Sequence, residues 1–217
     1  MRKEKLEEIL AGRDFDQYLL SDKKSGETNK SIVIEGTNKR LGRRDKLKIL
    51  KDPSDPGRLK QFLDEGERLV GSGELENLPQ VYYSSTFKGF PYLVTRLIKN
   101  EEGDLEKVVA SGRKLSINEC LDIMADSSRG LSNLHNARLT HRDIKLKNLI
   151  RDNPKDKTKN SGSITYVIDL GGTLSDPPDY PGDVPALAGC LMRVADISKN
   201  EMPKRIRTYL EKAAAKE

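Results

Sequence analysis

Tryptophan is missing from this 217-residue chain, aromatic residues make up only 5% of it, and it holds just two cysteines and two histidines. So few thiols exclude a disulfide-stapled scaffold. Cys120 and Cys190 both fall in apolar, helix-periodic stretches, where they read as reduced core residues rather than metal ligands, as expected of a cytoplasmic protein. Long apolar runs are lacking as well: none approaches the ~20 residues a bilayer-spanning helix needs, so no membrane contact is expected. The opening stretch from Met1 to Leu10 mixes both charge signs and has no apolar centre, unlike a secretory signal. Nor is there a strong excess of one charge. The 39 Lys+Arg against 34 Asp+Glu leave a formal net charge of +5. The basic residues are spread out instead of clustering with aromatics, so no nucleic-acid footprint is expected. The densest cluster, Pro203-Lys204-Arg205-Ile206-Arg207, reads as one face of an amphipathic helix.

What is present suffices for a sizeable core, as one domain or two small lobes. The first half reads as strands plus one helix. Ser31–Glu35 is short and β-branched, Gly36-Thr37-Asn38 supplies a turn, and Lys46–Lys51 alternates polar and apolar residues as a half-buried strand does. Asp55-Pro56-Gly57 opens a helix with Asp55 as N-cap, and Leu59, Phe62, Leu63, Leu69 and Val70 form its apolar stripe before Gly71 and Gly73 end it. Strands follow near 80–84 and 92–98. Around Lys99–Asp104 strand composition gives way to Asn, Glu and Gly, the expected hinge between residues 1–98 and 99–217. The second half is mainly helical. Ser116-Ile117-Asn118-Glu119 is a capping-box pattern heading a long helix. Short strands near 148–151 and 164–169 bracket a polar insertion at 152–162, and two helices follow, one carrying Leu187, Leu191 and Val194, the other Ile206 and Leu210.

The chemistry concentrates in His141-Arg142-Asp143-Ile144-Lys145-Leu146-Lys147-Asn148. An Asp and an Asn five positions apart serve two tasks: the carboxylate takes a proton from a hydroxyl, and the amide oxygen helps to hold Mg²⁺. Downstream, Val167-Ile168-Asp169-Leu170-Gly171 sets a second Asp at the end of an apolar strand, just before a tight turn. Mg²⁺ is a hard cation that takes oxygen ligands, so Asn148 and Asp169 suit it without Cys or His.

With these motifs the chain resembles the eukaryotic-type protein kinase family from about Leu19 to Leu191, and Lys145, two residues after Asp143, is similar to its serine/threonine branch. The resemblance implies an α+β fold: a small antiparallel β-sheet lobe with one αC-type helix (residues 1–98) and a reduced, mainly helical lobe carrying the catalytic loop (99–217). It implies Mg²⁺ and ATP as cofactors and Ser/Thr hydroxyls of a protein, or of the chain itself, as acceptors. Asp143 and Lys145 would be catalytic. Lys48 would anchor the α- and β-phosphates and Glu65 would hold it, with Glu67 as the alternative. Gly26, Thr95 at the gatekeeper position and Leu97 in the hinge would also contact nucleotide, and Asn148 and Asp169 would bind metal. His141 would pack beneath the metal-binding turn, and Asp183 would brace the catalytic loop from the start of a buried helix.

Two stretches depart from the family's pattern. In Ser25-Gly26-Glu27-Thr28-Asn29-Lys30-Ser31, only Gly26 stands where three glycines are usual, and a backbone cradle for phosphate is most easily made with glycine. Between Asp169 and Asp183 there is no space for a full activation loop and peptide platform. Two other readings stay open: a pseudokinase that binds nucleotide and regulates a partner, and a small-molecule kinase.

Overall fold

The computed structural model describes residues 2–99, 103–152, 163–169 and 182–215. The centre of the expected hinge, nearly all of the expected insertion, Gly171 and the short stretch ahead of Asp183 lie outside the described residues. The chain divides into two compact units, Met1–Glu74 with Gln80–Leu97, and Leu75–Pro79 with Ile98–Glu217.

In the first unit, helix α1 (Arg2–Ala11) precedes the strands β1 (Asp14–Phe15), β2 (Tyr18–Glu27), β3 (Ser31–Asn38) and β4 (Arg44–Leu50). Helix α2 (Pro56–Gly71) and strands β5 (Val81–Phe87) and β6 (Phe90–Arg96) follow. The strands form one antiparallel sheet in the order β1-β2-β3-β4-β6-β5. Period-two alternation sends Ile32, Ile34, Leu47, Ile49, Tyr92 and Val94 into one cluster, where Leu6, Ile9 and Leu10 of α1 also lie. Leu50 and Leu93 pack instead with Phe62 of α2. Each face of the sheet therefore has its own helix, and α1 supplies three side chains of this unit's core.

Two details differ from the sequence reading. Gly36-Thr37-Asn38 is not a turn but the end of β3, paired with Arg44 and Asp45 of β4 at Thr37 and Gly36. A Cβ on Gly36 would lie 2.9 Å from Leu47 Cδ1 and 3.2 Å from Tyr18 Cδ1, so the glycine serves close packing. The turn comes later, where Asn38 Oδ1 accepts from the amides of Arg40 and Leu41. Val70 is exposed, because the buried stripe of α2 runs through Phe62, Glu65, Gly66 and Leu69. The Asp55 cap holds as expected, accepting from Gly57 and Arg58 amides. Strands β1 and β2 had no clear signal: Ser21-Asp22-Lys23-Lys24-Ser25 lacks alternation, and the β2–β3 register shifts twice near Lys24.

At the start of β4 the fully buried Asp45 accepts from Tyr18 Oη at 2.9 Å and from Arg43 at 2.7 and 3.0 Å. A carboxylate out of water needs such partners, and here they fix the strand three residues ahead of Lys48.

The second unit holds α3 (Leu105–Ala110), α4 (Ile117–Asn136), a 3₁₀ turn (Leu146–Asn148), β7 (Leu149–Asp152), β8 (Ile164–Val167), α5 (Asp183–Asp196) and α6 (Lys204–Ala214). The capping box forms in full: Ser116 Oγ accepts from the Glu119 amide, and Glu119 accepts from the Ser116 amide. Residues 75–79 belong to this unit through Asn77, whose carbonyl accepts from the Val167 amide at 2.9 Å and whose Nδ2 donates to the Thr165 carbonyl at 3.0 Å. A Cβ on Gly130 of α4 would come within 2.9 Å of that same Asn77 carbonyl. The helix must be bare at this point for the chain to reach β8.

Candidate functional site

In the first unit, Lys48 lies at the centre of the sheet. The pairings Gly26↔Val33, Val33↔Lys48, Lys48↔Leu93 and Leu93↔Ser84 make one continuous row across five strands. Lys48 Nζ donates to Glu65 Oε1 at 3.0 Å. Glu67, the alternative partner, is exposed. What brings α2 this close is Gly66: a Cβ there would lie 2.5 Å from Leu93 Cδ2 and 3.3 Å from Ser84 Cβ, both on the row that carries Lys48. Sequence reasoning missed Gly66. Its signal was a glycine on the buried stripe, four residues after Phe62 and three before Leu69, which marks a close approach. Thr95 is half-buried on β6 opposite Lys46, on the same face as Lys48, and Leu97 follows the strand, half-buried.

In the second unit, α4 delivers the chain into the loop from His141 to Asn148. His141 is 1% exposed. Its Nε2 lies 2.8 Å from the Ile168 carbonyl, and its Nδ1 accepts from the Asp143 amide at 3.3 Å. A neutral imidazole protonated on Nε2 satisfies both contacts. Burial lowers the His141 pKa, against the opposite pull of the Ile168 carbonyl and the carboxylates of Asp183, Asp169 and Asp143. Asp183 accepts from the amides of His141 at 2.8 Å and Arg142 at 2.7 Å, and pairs with His135 Nε2 at 3.0 Å. Burial opposes its charge, but His135 and the two amides outweigh that and hold its pKa below the usual carboxylate range.

On this frame, Asp143 is open to solvent. Lys145 Nζ donates to its Oδ2 at 2.5 Å, and Asn148 Nδ2 donates to its carbonyl at 2.8 Å and to Oδ2 at 3.3 Å. Asn148 is buried and ties the loop to the next strand, its carbonyl accepting from the Ile168 amide at 2.9 Å. With Asn148 Nδ2 committed to Asp143, its Oδ1 is the atom left for a hard cation. Asp169 comes directly after Ile168, the residue held at its amide by Asn148 and at its carbonyl by His141. Asp169 is exposed, with φ of 62°, a left-handed turn that Asp accepts more readily than most residues. The second unit thus brings Asp143, Lys145, Asn148 and Asp169 to one loop pair, and the first unit joins Lys48 to Glu65. An oxygen set of one carboxylate and one amide suits Mg²⁺, which keeps waters and takes phosphate oxygens for its remaining positions.

The family model described as "Protein kinase domain" matches residues 20–172. Over 151 residues the chain is 31% identical to serine/threonine-protein kinase PknA of Mycobacterium tuberculosis, an alignment covering 65% of this chain and 32% of that protein. It is 29% identical over 149 residues to the DNA damage response protein kinase DUN1 of Saccharomyces cerevisiae (64% and 29% covered). It is 32% identical over 130 residues to the dual specificity protein kinase shkE of Dictyostelium discoideum (54% and 18% covered). Against each of the three, the aligned stretch spans about a third or less of the relative's length.

Proposed function

Taking as premise that this chain belongs to the protein kinase domain family, we propose that it transfers the γ-phosphoryl group of Mg²⁺·ATP to Ser or Thr hydroxyls of a protein, itself included. The observation that carries this reading is the loop in which exposed Asp143 is held at its carbonyl by Asn148 and at its carboxylate by Lys145. A general base must be exposed to a substrate hydroxyl yet fixed in direction, and Asp143 meets both conditions.

In this reading the hydroxyl oxygen forms a bond to the γ-phosphorus as the bond from phosphorus to the β–γ bridging oxygen breaks, and ADP leaves. The hydroxyl proton goes to Asp143 Oδ2. Lys145, on a long exposed stem, moves its ammonium toward the transferred group as charge develops there. Lys48, aimed by Glu65, neutralises the α- and β-phosphates. Asn148 Oδ1 and the Asp169 carboxylate would hold Mg²⁺, which would supply charge neutralisation to the phosphates. Loss of the exposed Asp143 or Lys145 side chain acts on the transition state more than on the fold, since each is used there and lies open to solvent.

The test is transfer of radiolabel from the γ-position of ATP to a generic protein and to the chain itself. Wild type should label, and Asp143→Ala should lower the rate by about 10²- to 10⁴-fold. Unlabelled protein with wild type, or equal labelling by the variant, refutes the reading. A nucleotide-dependent thermal shift without turnover would favour the pseudokinase instead.

A further inference from the structure

The β2–β3 connection is where the sequence lacks the family's glycines, and the structure shows what its backbone amides do. Thr28 Oγ1 accepts from the amides of Lys30 at 3.2 Å and Ser31 at 3.0 Å. The Thr28 amide donates to the Ser31 carbonyl at 2.9 Å, and the Lys51 amide donates to the Lys30 carbonyl at 2.9 Å. The Thr28 hydroxyl also lies 3.3 Å from the Ser31 carbonyl and 3.3 Å from Ser31 Oγ. Two successive N–H groups converging on one oxygen is the arrangement that binds an anion, and here the oxygen is the chain's own.

The strands on either side are pinned too. Lys24 Nζ donates to Glu7 of α1 at 3.1 Å and to Glu27 at 3.2 Å, and Glu27 also pairs with Lys51. The lysines lower the Glu27 pKa, so the residue just before Thr28 keeps a negative charge next to the tip. That charge is answered by the two lysines, and what disfavours phosphate at this spot is the filled amide pair.

We propose that the Thr28 hydroxyl occupies the place of a phosphate oxygen, making Thr28 a built-in competitor that weakens nucleotide binding by its phosphates. This rests on the kinase reading above and deepens it. Phosphate reaches the tip amides only by displacing the Thr28 hydroxyl, so removing that hydroxyl tightens phosphate-bearing ligands and leaves others unchanged. Each amide–hydroxyl bond is exchanged in water and is of ordinary strength, so the gain is about threefold to tenfold in affinity.

The test compares ATP with adenosine, in the presence of Mg²⁺, by calorimetry on the full chain. Thr28→Gly and Thr28→Val both remove the acceptor, the first freeing the backbone and the second preserving the branched shape; Thr28→Ser keeps the hydroxyl. Thermal unfolding without ligand verifies that each variant folds. The expected result is that Thr28→Gly and Thr28→Val bind ATP about threefold to tenfold tighter, that Thr28→Ser matches wild type, and that adenosine affinity is the same throughout. ATP affinity unchanged or weaker in both hydroxyl-free variants, or adenosine tightened equally, overturns the inference while the kinase reading stands. Neither ligand binding to wild type or any folded variant overturns the kinase reading, and the inference falls with it.

Discussion

Lys48 and Glu65 meet at 3.0 Å with side chains 17% and 6% exposed, whereas Lys145 and Asp143 meet at 2.5 Å with side chains 47% and 56% exposed. The charges are the same, and the surroundings are opposite. Two charges taken out of water depend on each other, because removing one leaves the other buried and unpaired. Two charges in water are screened, and their pairing adds only about 0–1 kcal/mol. The first pair is a fixture between β4 and α2, at an approach that Gly66 makes possible. The second is exchangeable: Lys145 can leave Asp143 for a phosphate, and Asp143 can accept from a hydroxyl, at small cost. In the proposed phosphoryl transfer, the first pair would serve as a rigid anchor for the part of the substrate that stays, and the second as the labile pair where bonds change.

Breaking the exposed pair gives the largest effect on rate and the smallest on folding. Asp143→Asn keeps the shape of the side chain and its exposure while removing the base. Phosphoryl transfer should fall by about 10²- to 10⁴-fold, and the unfolding free energy should move by no more than about 0.5 kcal/mol. A fall in stability of several kcal/mol would show that Asp143 is a structural residue, and the contrast between the two pairs would fail.

Breaking the buried pair should show in both measurements. Glu65→Ala strands the Lys48 ammonium and opens a gap beside Phe62 and Leu69, so it should cost about 2–4 kcal/mol in denaturant unfolding, as well as transfer activity. The double variant with Lys48→Met should recover part of that loss, because an apolar side chain needs no partner. Additive losses in the double variant would mean that the pair is not coupled.

How far these arrangements were legible in the sequence depends on whether a residue announces its own role. Asp143, Asn148 and Asp169 stand out in the sequence as candidates because their types and spacing suit the chemistry of metal and proton, and Lys145 does so through the resemblance to the kinase family. Glu65 is favoured over Glu67 in the sequence because Leu69 supplies a packing partner one turn on where Glu67 would meet only Gly71, and in the structure Glu65 accepts from Lys48. The residues that hold these groups in place were not visible, since their roles depend on what lies opposite. Gly66 looks like a weak point of a helix until Leu93 is seen against it, and Asn77 looks like a loop residue until β8 is seen along it. Gly36 misled in the same way: a glycine two residues before Asn reads as a turn, but here the absence of a side chain makes room for Leu47 within a strand. Strands β1 and β2 escaped because β1 is only two residues long and the polar stretch Ser21–Ser25 breaks the alternation that Tyr18, Leu19 and Leu20 begin, although Phe15, Tyr18 and Leu20 are buried in the core.

Asn77 offers a test of this hidden layer, with a smaller effect than Glu65. It sits at φ of 60°, donates to Thr165 and accepts from Arg129 Nη1 at 3.2 Å. Asn77→Ala loses both contacts and leaves a less tolerant residue in a left-handed conformation, at a cost of about 2 kcal/mol in denaturant unfolding. Asn77→Gly should recover the conformational part but not the hydrogen bonds. If the glycine variant is no better than the alanine one, backbone conformation plays no part at this position.

The smallest expected effect concerns the buried support beneath the exposed pair. Burial holds the folded His141 pKa below its ordinary 6.5. The folded state therefore binds this proton less readily than the unfolded chain. The stability contributed by the neutral ring is fully present above about pH 6.5 and drains away as the pH falls through the lower folded value. Asp183 acts with the same sign at lower pH, since its folded pKa lies below its ordinary 3.8 and its contribution is lost only as acid protonates it. As the pH falls below about 6.5, the lowered His141 pKa makes the unfolding free energy fall. His141→Gln, which retains a donor for the Ile168 carbonyl, should be less stable at pH 7.5 but lose that slope, whereas Asp143→Asn, which leaves the buried ring in place and removes a carboxylate that opposes its lowered pKa, should keep it. Parallel pH profiles for wild type and His141→Gln would remove His141 from the support. The drop would then have to come from other groups, and the division between a buried frame around His141 and an exchangeable pair would no longer describe this loop.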